Sequence, residues 1–433
     1  MAYSDNRPVR SRQKSPYDSC GLLRVAVVRC RHCHSSSLHL LLDLGFAPPA
    51  NAYLSEADLK KPENHFPLKV MVCDQCWLVQ TEDFVGASEL FSADYAYFSS
   101  ISTSWLEHAK QYASQIIERL VLDESSLVIE VASNDGYLLK NFVGAGIPSL
   151  GIEPTASTAI AAESVGVPVL REFFGEALGK KLAHEGRRAD LIVGNNVYAH
   201  VPEINDFTKG LKAALKPNGT ITLEFPHLMQ LLEQAQFDTI YHEHYSYLSL
   251  YTVNAIFASV GLRVWDVEKL ATHGGSLRVY GCHSDDARAP TETVQALLEE
   301  ETQGGMQTLV PYTNFQPRVE KIKNELLEFL LEQKKAGKSV AAYGAAAKGN
   351  TLLNYAGVKP DLLPFVGDAA AAKQNKYMPG SHIPILSPAE IIKAKVDYLV
   401  VLPWNIAKEV KSQLAQDLPD TQFVIVVPDL KKI

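Results

Sequence analysis

Long apolar runs are missing from this chain. No stretch reaches the roughly 18 residues that a membrane-spanning helix needs; residues 38–42 are apolar, but His39 and Asp43 break them. An apolar segment is also missing near the start. Residues 1–14 are polar and basic, which is not the pattern of a secretory signal, and residues 1–19 read as a disordered tail. Positive charge is in deficit, with 41 Lys and Arg against 49 Asp and Glu and a formal net charge of −8. That balance argues against nucleic acid as the main ligand. No solenoid-type repeat is present. These absences leave a soluble, cytoplasmic protein with no membrane or nucleic-acid partner as the expectation. The 433 residues, 46% of them hydrophobic, are enough for two or three domains with real cores.

Cysteine is scarce, yet four of the six cysteines form two C-x-x-C pairs, Cys30/Cys33 and Cys73/Cys76. In a chain of this character, two such knuckles fit a tetrahedral thiolate zinc site better than disulfides. A closed four-sulfur site leaves no position for substrate, so this zinc is expected to fold its segment and not to catalyse. Redox or packing pairs are the alternative. Cys20 and Cys282 have no partners at ligand spacing. Residues 20–87 are therefore expected to form a small, loop-rich zinc module in which the metal replaces a core.

Beyond it, the spacing of Trp105, Leu106, Ala109, Tyr112, Ala113, Ile116 and Leu120 predicts a helix within 88–122. Strands at 126–131, 149–152, 191–195 and 220–225 alternate with helices, the rhythm of a mostly parallel, doubly wound α/β sheet. Residues 262–269 and 276–282 read as a late antiparallel pair. After a charged helical stretch at 290–335, strands near 339–343, 362–366, 398–402 and 422–427 predict a smaller second α/β domain. The expected organisation is a zinc module at 20–87, a central Rossmann-like domain at 88–290 and a C-terminal Rossmann-like α/β domain at 291–433.

The first strand of the central domain runs into Glu130-Val131-Ala132-Ser133-Asn134-Asp135-Gly136, and Glu153 ends the next strand. This turn lies where α/β sheets bind ligands, with Glu153 placed to accept ribose hydroxyls. The loop has one glycine where a dinucleotide fingerprint needs three. Asp135 would repel a pyrophosphate but tolerates a sulfonium and an amino group. Both features favour S-adenosylmethionine (SAM) over a dinucleotide, a ligand-free turn being the bland alternative. The cofactor set is Glu130, Ala132, Ser133, Asn134, Asp135, Gly136, Glu153 and Asn195. Asn196 and His200 follow Asn195 at another strand end in the same crevice, and His200 reads equally well as a surface residue.

The densest chemistry is Tyr241-His242-Glu243-His244-Tyr245. His supplies a base near neutral pH, a carboxylate beside it can orient the ring, and a phenol can hydrogen-bond a developing enolate. The spacing is not the H-E-x-x-H of helical zinc proteases; a metal pair or a packed aromatic turn is the alternative. In the C-terminal domain, residues 344–350 follow a strand and open a helix. Backbone N–H groups with Lys348 make a site fit for a diphosphate, unless they are a helix cap with a solvated lysine. His273-Gly274-Gly275-Ser276 is a tight turn that approaches a ligand or simply enters a hairpin.

In this order, the two knuckles, the polar-aromatic segment 94–100, the loop 130–136, Asn195-Asn196 with His200, the 241–245 cluster, the 273–276 turn and residues 343–350 resemble the sugar C-methyltransferases. These add a branch methyl to C3 of nucleotide-linked 4-keto-deoxysugars. The resemblance covers the chain from about Cys30 onward. It implies SAM as methyl donor, structural zinc on Cys30, Cys33, Cys73 and Cys76, a nucleotide-diphosphate sugar as substrate, and a monomer. It casts His244 as the base that removes the C3 proton, with Glu243, Tyr241, Tyr95 and His200 in the same catalytic group. Tyr97, Asn196, His273, Gly344, Lys348, Gly349 and Asn350 fall to the substrate. Ala132 departs from the glycine that many SAM enzymes carry there, so the loop is expected to sit differently. Residues 369–372 replace more polar neighbours of Asp368. An O- or N-methyltransferase, a nicotinamide-dependent oxidoreductase and a non-enzymatic zinc scaffold are the competing readings.

Overall fold

Three sheets organise the chain. The fold is that of a computed structural model and is described for residues 28–84 and 98–433. The expectations for the N-terminal tail, Cys20, Tyr95 and Tyr97 lie outside those residues.

The first sheet is antiparallel, with strands Leu38–Ala47, Phe66–Cys73, Val79–Thr81 and Ser246–Tyr247 in that order. The expectation of a loop-rich module is corrected here. Leu68, Val70 and Val72 alternate with less buried residues, a period of two that marks a half-buried strand. The module also shares cores with its neighbours instead of relying on metal alone. Leu42 and Val70 pack in one cluster with Phe315, Leu326 and Val400 of the C-terminal half. Cys30, Cys73, Cys76 and Leu78 pack with Leu248 and Val253 of the central domain.

The second sheet has seven strands in the order Leu262–Leu270, Ser276–His283, Leu215–Pro226, Ala189–Asn195, Val128–Val131, Ser149–Ile152, Val169–Leu170. The last five run parallel, and Ser276–His283 is antiparallel to both of its neighbours. All four residues of Val128–Val131 are buried, as a central parallel strand covered on both faces requires. Chain order reverses between Val128–Val131 and Ala189–Asn195, so their carboxyl ends open a crevice. The helix before this sheet spans Thr103–Leu120, where Ser102 caps it by accepting from the Trp105 N–H. It buries Ala109, Tyr112, Ala113 and Ile116, a stripe at three- and four-residue steps. It lies within the range that the spacing from Trp105 to Leu120 predicts, and residues 99–101 form a separate 3-10 turn before it.

The third sheet orders Ile385–Leu386, Val366–Gly367, Val340–Tyr343, Tyr398–Val401, Gln422–Ile425 and Lys431–Lys432, all parallel except the last. Phe315–Lys335 leads into it. Among the described residues no helix is long and apolar enough to cross a membrane.

Candidate active site

A cavity of about 690 Å³ opens at the crevice of the seven-stranded sheet and is closed on its far side by the C-terminal domain. That volume falls within the usual range for small-molecule sites. One wall is Ala132, Asn134, Glu153 and Asn195; the floor is His200, Tyr241, Glu243 and His244; the opposite wall is Ala346, Ala347, Lys348 and Lys373.

The first wall is built by strained turns. Ala132 and Asn134 take φ of 57° and 49°, a left-handed region that glycine enters freely and alanine does not. The alanine therefore adopts a conformation that glycine enters freely. Glu153 holds the turn. One carboxylate oxygen accepts from the Asn134 N–H at 3.0 Å and the other from the Thr155 N–H at 2.9 Å. Each oxygen keeps a lone-pair direction for a hydroxyl. Asn195 is 8% exposed, and neither end of its amide has a hydrogen-bond partner among the described residues, which fits a wall awaiting a polar ligand.

Glu130, Ser133, Asp135 and Gly136, expected against the cofactor, do not line the cavity. Glu130 is 1% exposed, and burial, with the charges of Asp135 and Glu153, pushes its carboxyl well above the usual range. Ser133 packs behind Gly151. Asp135 accepts from the Ser100 N–H at 3.0 Å. Gly136, at φ 76°, leaves room for Val167 and Ala162. These four shape the turn from behind.

The floor centres on His244, 8% exposed. Its Nδ1 is 2.8 Å from the Thr239 carbonyl oxygen. A carbonyl only accepts, so Nδ1 carries the proton and Nε2 the lone pair. Burial, with the nearby His200, drives the pKa of His244 well below its ordinary value, correcting the expectation of a base near neutrality. The ring is held neutral. The His200 ring lies edge-on, 4.6 Å away between centroids, and the Tyr241 ring lies 4.0 Å away. Burial lowers His200 to about 4. The partner at Nδ1 is the Thr239 carbonyl and not the Glu243 carboxylate expected to orient the ring. Glu243 accepts instead from Asn51 Nδ2 at 2.7 Å, a residue of the N-terminal module.

His273, at φ 54°, sits on the 3-10 turn Thr272–Gly274. Its Nε2 is 3.2 Å from Asn196 Nδ2, and its ring is 5.4 Å from that of Trp105. Burial and the charge of Lys348 lower it to about 4. Lys348 donates to Asn405 and lies over the Trp404 ring. The Trp404 indole N–H donates to buried Asp238 at 2.8 Å. Lys373 donates to the Ala345 carbonyl and pairs with Asp368. Gly344, Gly349 and Asn350 do not line the cavity. Gly344 packs on Pro403 and Gly349 on Leu402, while Asn350 donates to the Ala50 carbonyl at 2.6 Å. The two glycines serve packing within the C-terminal domain, and Asn350 ties that domain to the N-terminal module.

The four knuckle cysteines are free thiols whose Sγ atoms all lie within 4.8 Å of one another. The shortest separations are Cys30–Cys76 at 3.4 Å and Cys33–Cys73 at 3.5 Å. Sulfurs around a tetrahedral zinc at ~2.3 Å stand roughly 3.8 Å apart, so the donor set fits that ion.

Residues 30–91 match the family described as "Putative zinc binding domain", residues 105–267 the "Methyltransferase domain" and residues 271–428 the "C-methyltransferase C-terminal domain". C-methyltransferase NovU of Streptomyces niveus is 33% identical over 405 residues, covering 93% of this chain and 96% of that protein. The chain belongs to the C-methyltransferase family. An uncharacterized methyltransferase of Mycobacterium leprae is 28% identical over 99 residues, 23% of this chain and 36% of its own. Among solved structures, PH0226 from Pyrococcus horikoshii aligns over 43% of this chain and 95% of its own at 14% identity, with a TM-score of 0.36.

As a SAM-dependent C-methyltransferase, the enzyme leaves no place for the nicotinamide, scaffold and O- or N-methyl alternatives. Glu153, Asn134 and Asn195 are the groups that would hold SAM, and the four cysteines the zinc. Asn51, Asp238, Lys373 and Trp404 escaped the sequence reading, and Trp105 entered it only as a helix residue, since each is an ordinary residue type made relevant by contacts distant in sequence. A signal at Asn134, Asn196 and His273 is conformational. They and Ala132 hold positive φ and all line the cavity, and such strain gathers at functional sites.

Proposed function

We propose that this C-methyltransferase methylates C3 of a nucleotide-linked 4-keto-deoxyhexose, with His244 as the base. The observation that carries the reading is the single tautomer of His244. Its Nδ1 proton is tied to Thr239, so a neutral imidazole presents Nε2 as a lone pair, in the same cavity as Glu153 and Asn134. The 4-keto group acidifies the C3–H bond. His244 Nε2 takes that proton, and the electron pair passes into an enolate whose oxygen is held by a donor such as Tyr241 or Asn196. When bound, SAM supplies an electrophilic methyl on a sulfonium. The C3 carbon takes that methyl as the C3–CH₃ bond forms, and S-adenosylhomocysteine leaves. The chain supplies position and base.

The nucleotide diphosphate suits the opposite wall. The helix Ala347–Ala356 points its N-terminus at the cavity, and Lys348 and Lys373 add two cations. The resemblance to sugar C-methyltransferases supports the same assignment.

The test is deuterium exchange. In D₂O without SAM, the enzyme should wash deuterium into C3 of a 4-keto nucleotide sugar, and His244→Asn should not. With SAM, mass spectrometry should find one methyl on carbon. A folded, SAM-binding His244→Asn protein with near-normal turnover would refute the base assignment. Methylation at oxygen or nitrogen would refute the reaction.

A further inference from the structure

One side chain of the zinc knuckle reaches the backbone beneath the catalytic floor. Arg31 lies between two of the zinc-site cysteines, Cys30 and Cys33, and its side chain is only 6% exposed. Its Nη1 donates to the Pro202 carbonyl at 2.8 Å, and its Nη2 to the Thr81 carbonyl at 3.0 Å. Pro202 lies two residues after His200. Thr81 ends the strand that pairs with Ser246–Tyr247, which begins two residues after His244. The Thr81 hydroxyl donates to the His244 carbonyl at 3.0 Å, and the Thr81 N–H to the Tyr245 carbonyl at 3.2 Å. The guanidinium also lies 5.3 Å from the Tyr245 ring centroid. The Arg31 N–H is itself fixed, donating to Gln80 Oε1 at 2.8 Å.

We infer that Arg31 is a positioning residue: fixed at its root by the zinc knuckle, it braces the segments carrying His200 and His244 against each other. A planar guanidinium with five donors can serve two carbonyls on separate segments at once, which an ammonium does less well. Asp83, the carboxylate partner at 2.7 Å, has a side chain 54% exposed. The buried bonds of Arg31 therefore go to main-chain carbonyls, the groups that set backbone position. The four cysteines do not line the cavity, and this brace links their knuckle to segments that do.

The inference rests on His244 being the base, and its test is read in two independent ways. Full-length, zinc-loaded Arg31→Gln and Arg31→Lys are compared with Thr81→Val, which deletes only the hydroxyl bond to His244. The expected result is zinc content and SAM affinity within twofold of the parent, with amide-exchange protection over residues 241–247 down at least tenfold in Arg31→Gln. Turnover of a 4-keto nucleotide sugar should fall on the order of 100-fold in kcat, the effect of a misplacement near 1 Å. Arg31→Lys should recover part of both, and Thr81→Val should show a smaller loss of both. Unchanged protection in the variants overturns the inference. So does loss of zinc and SAM binding together with protection, which would make Arg31 a folding residue only; if Arg31→Gln fails to fold, Arg31→Lys and Thr81→Val decide. Should the parent enzyme not act on the sugar at all, the base reading fails while the exchange result still judges the brace.

Discussion

The Nδ1–H of His244 donates to the Thr239 carbonyl five residues earlier, at 2.8 Å. This local bond selects the tautomer, and burial beside His200 keeps the ring from charging. A base must be unprotonated to act, and His244, the base proposed above, is so at any pH above a pKa depressed well below the ordinary histidine value of ~6.5. The acid limb of kcat/KM should therefore lie below pH 6.5, with a plateau through neutrality. His244→Asn should lower kcat by about 10²–10⁴-fold with SAM affinity intact. An acid limb at or above pH 6.5 would count against the assignment.

The same burial bears on stability. His200 and His273 are lowered to about 4, while an unfolded chain restores them to ~6.5. Between those values the unfolded state binds more protons, so stability rises with pH. The contribution is fully present above ~6.5 and is lost as pH falls toward 4, with about 4 kcal/mol for the two together gone by pH 5 at about 1.4 kcal/mol per unit. Urea midpoints at pH 7 and pH 5 measure it. His273→Gln should show a shallower loss than the parent over that interval, and an equal slope in both would contradict the shift.

Glu153 joins two segments of the cavity wall proposed to hold SAM by accepting from the Asn134 and Thr155 N–H groups. Glu153→Gln turns one acceptor into a donor and so sets an amide N–H against a backbone N–H. A buried unmade bond costs roughly 1–3 kcal/mol. SAM affinity by calorimetry should fall about tenfold or more, with the zinc content unchanged. Equal SAM affinity would remove Glu153 from the cofactor site.

Much of this site was legible because its chemistry is local in sequence. Two thiol knuckles, an acidic residue closing the second strand and the 241–245 cluster each announce themselves within a few residues. What escaped is chemistry assembled across the chain. Asn51 reaches Glu243 from 192 residues away, and Trp404 reaches Asp238 across 166. Gly344 and Gly349 show the opposite ambiguity. A glycine that admits a phosphate and one that admits Pro403 or Leu402 look alike in sequence, and here the packing demand prevails. The strand Phe66–Cys73 was hidden by Pro67 and by flanking turns, although its alternation is plain once its pairing with Leu38–Ala47 is known.

Gly274 is the point where the central domain meets the C-terminal loop. It holds φ 89°, and a methyl there would overlap the Trp404 ring and approach Gln236 Nε2. Gln236 in turn donates to the Gly274 carbonyl at 2.8 Å, and Trp404 carries both the Asp238 bond and the Lys348 ammonium on its face. Gly274→Ala therefore strains the backbone and displaces the indole, at a cost of about 1–3 kcal/mol. The indole supports Lys348, so the effect should not stop at stability. KM for the anionic substrate should rise several-fold while SAM affinity stays within twofold, and the fluorescence of Trp404 should shift as its hydrogen bond is lost. A variant with parental thermal stability and parental KM would mean that this contact neither holds the domains together nor shapes the far wall of the cavity.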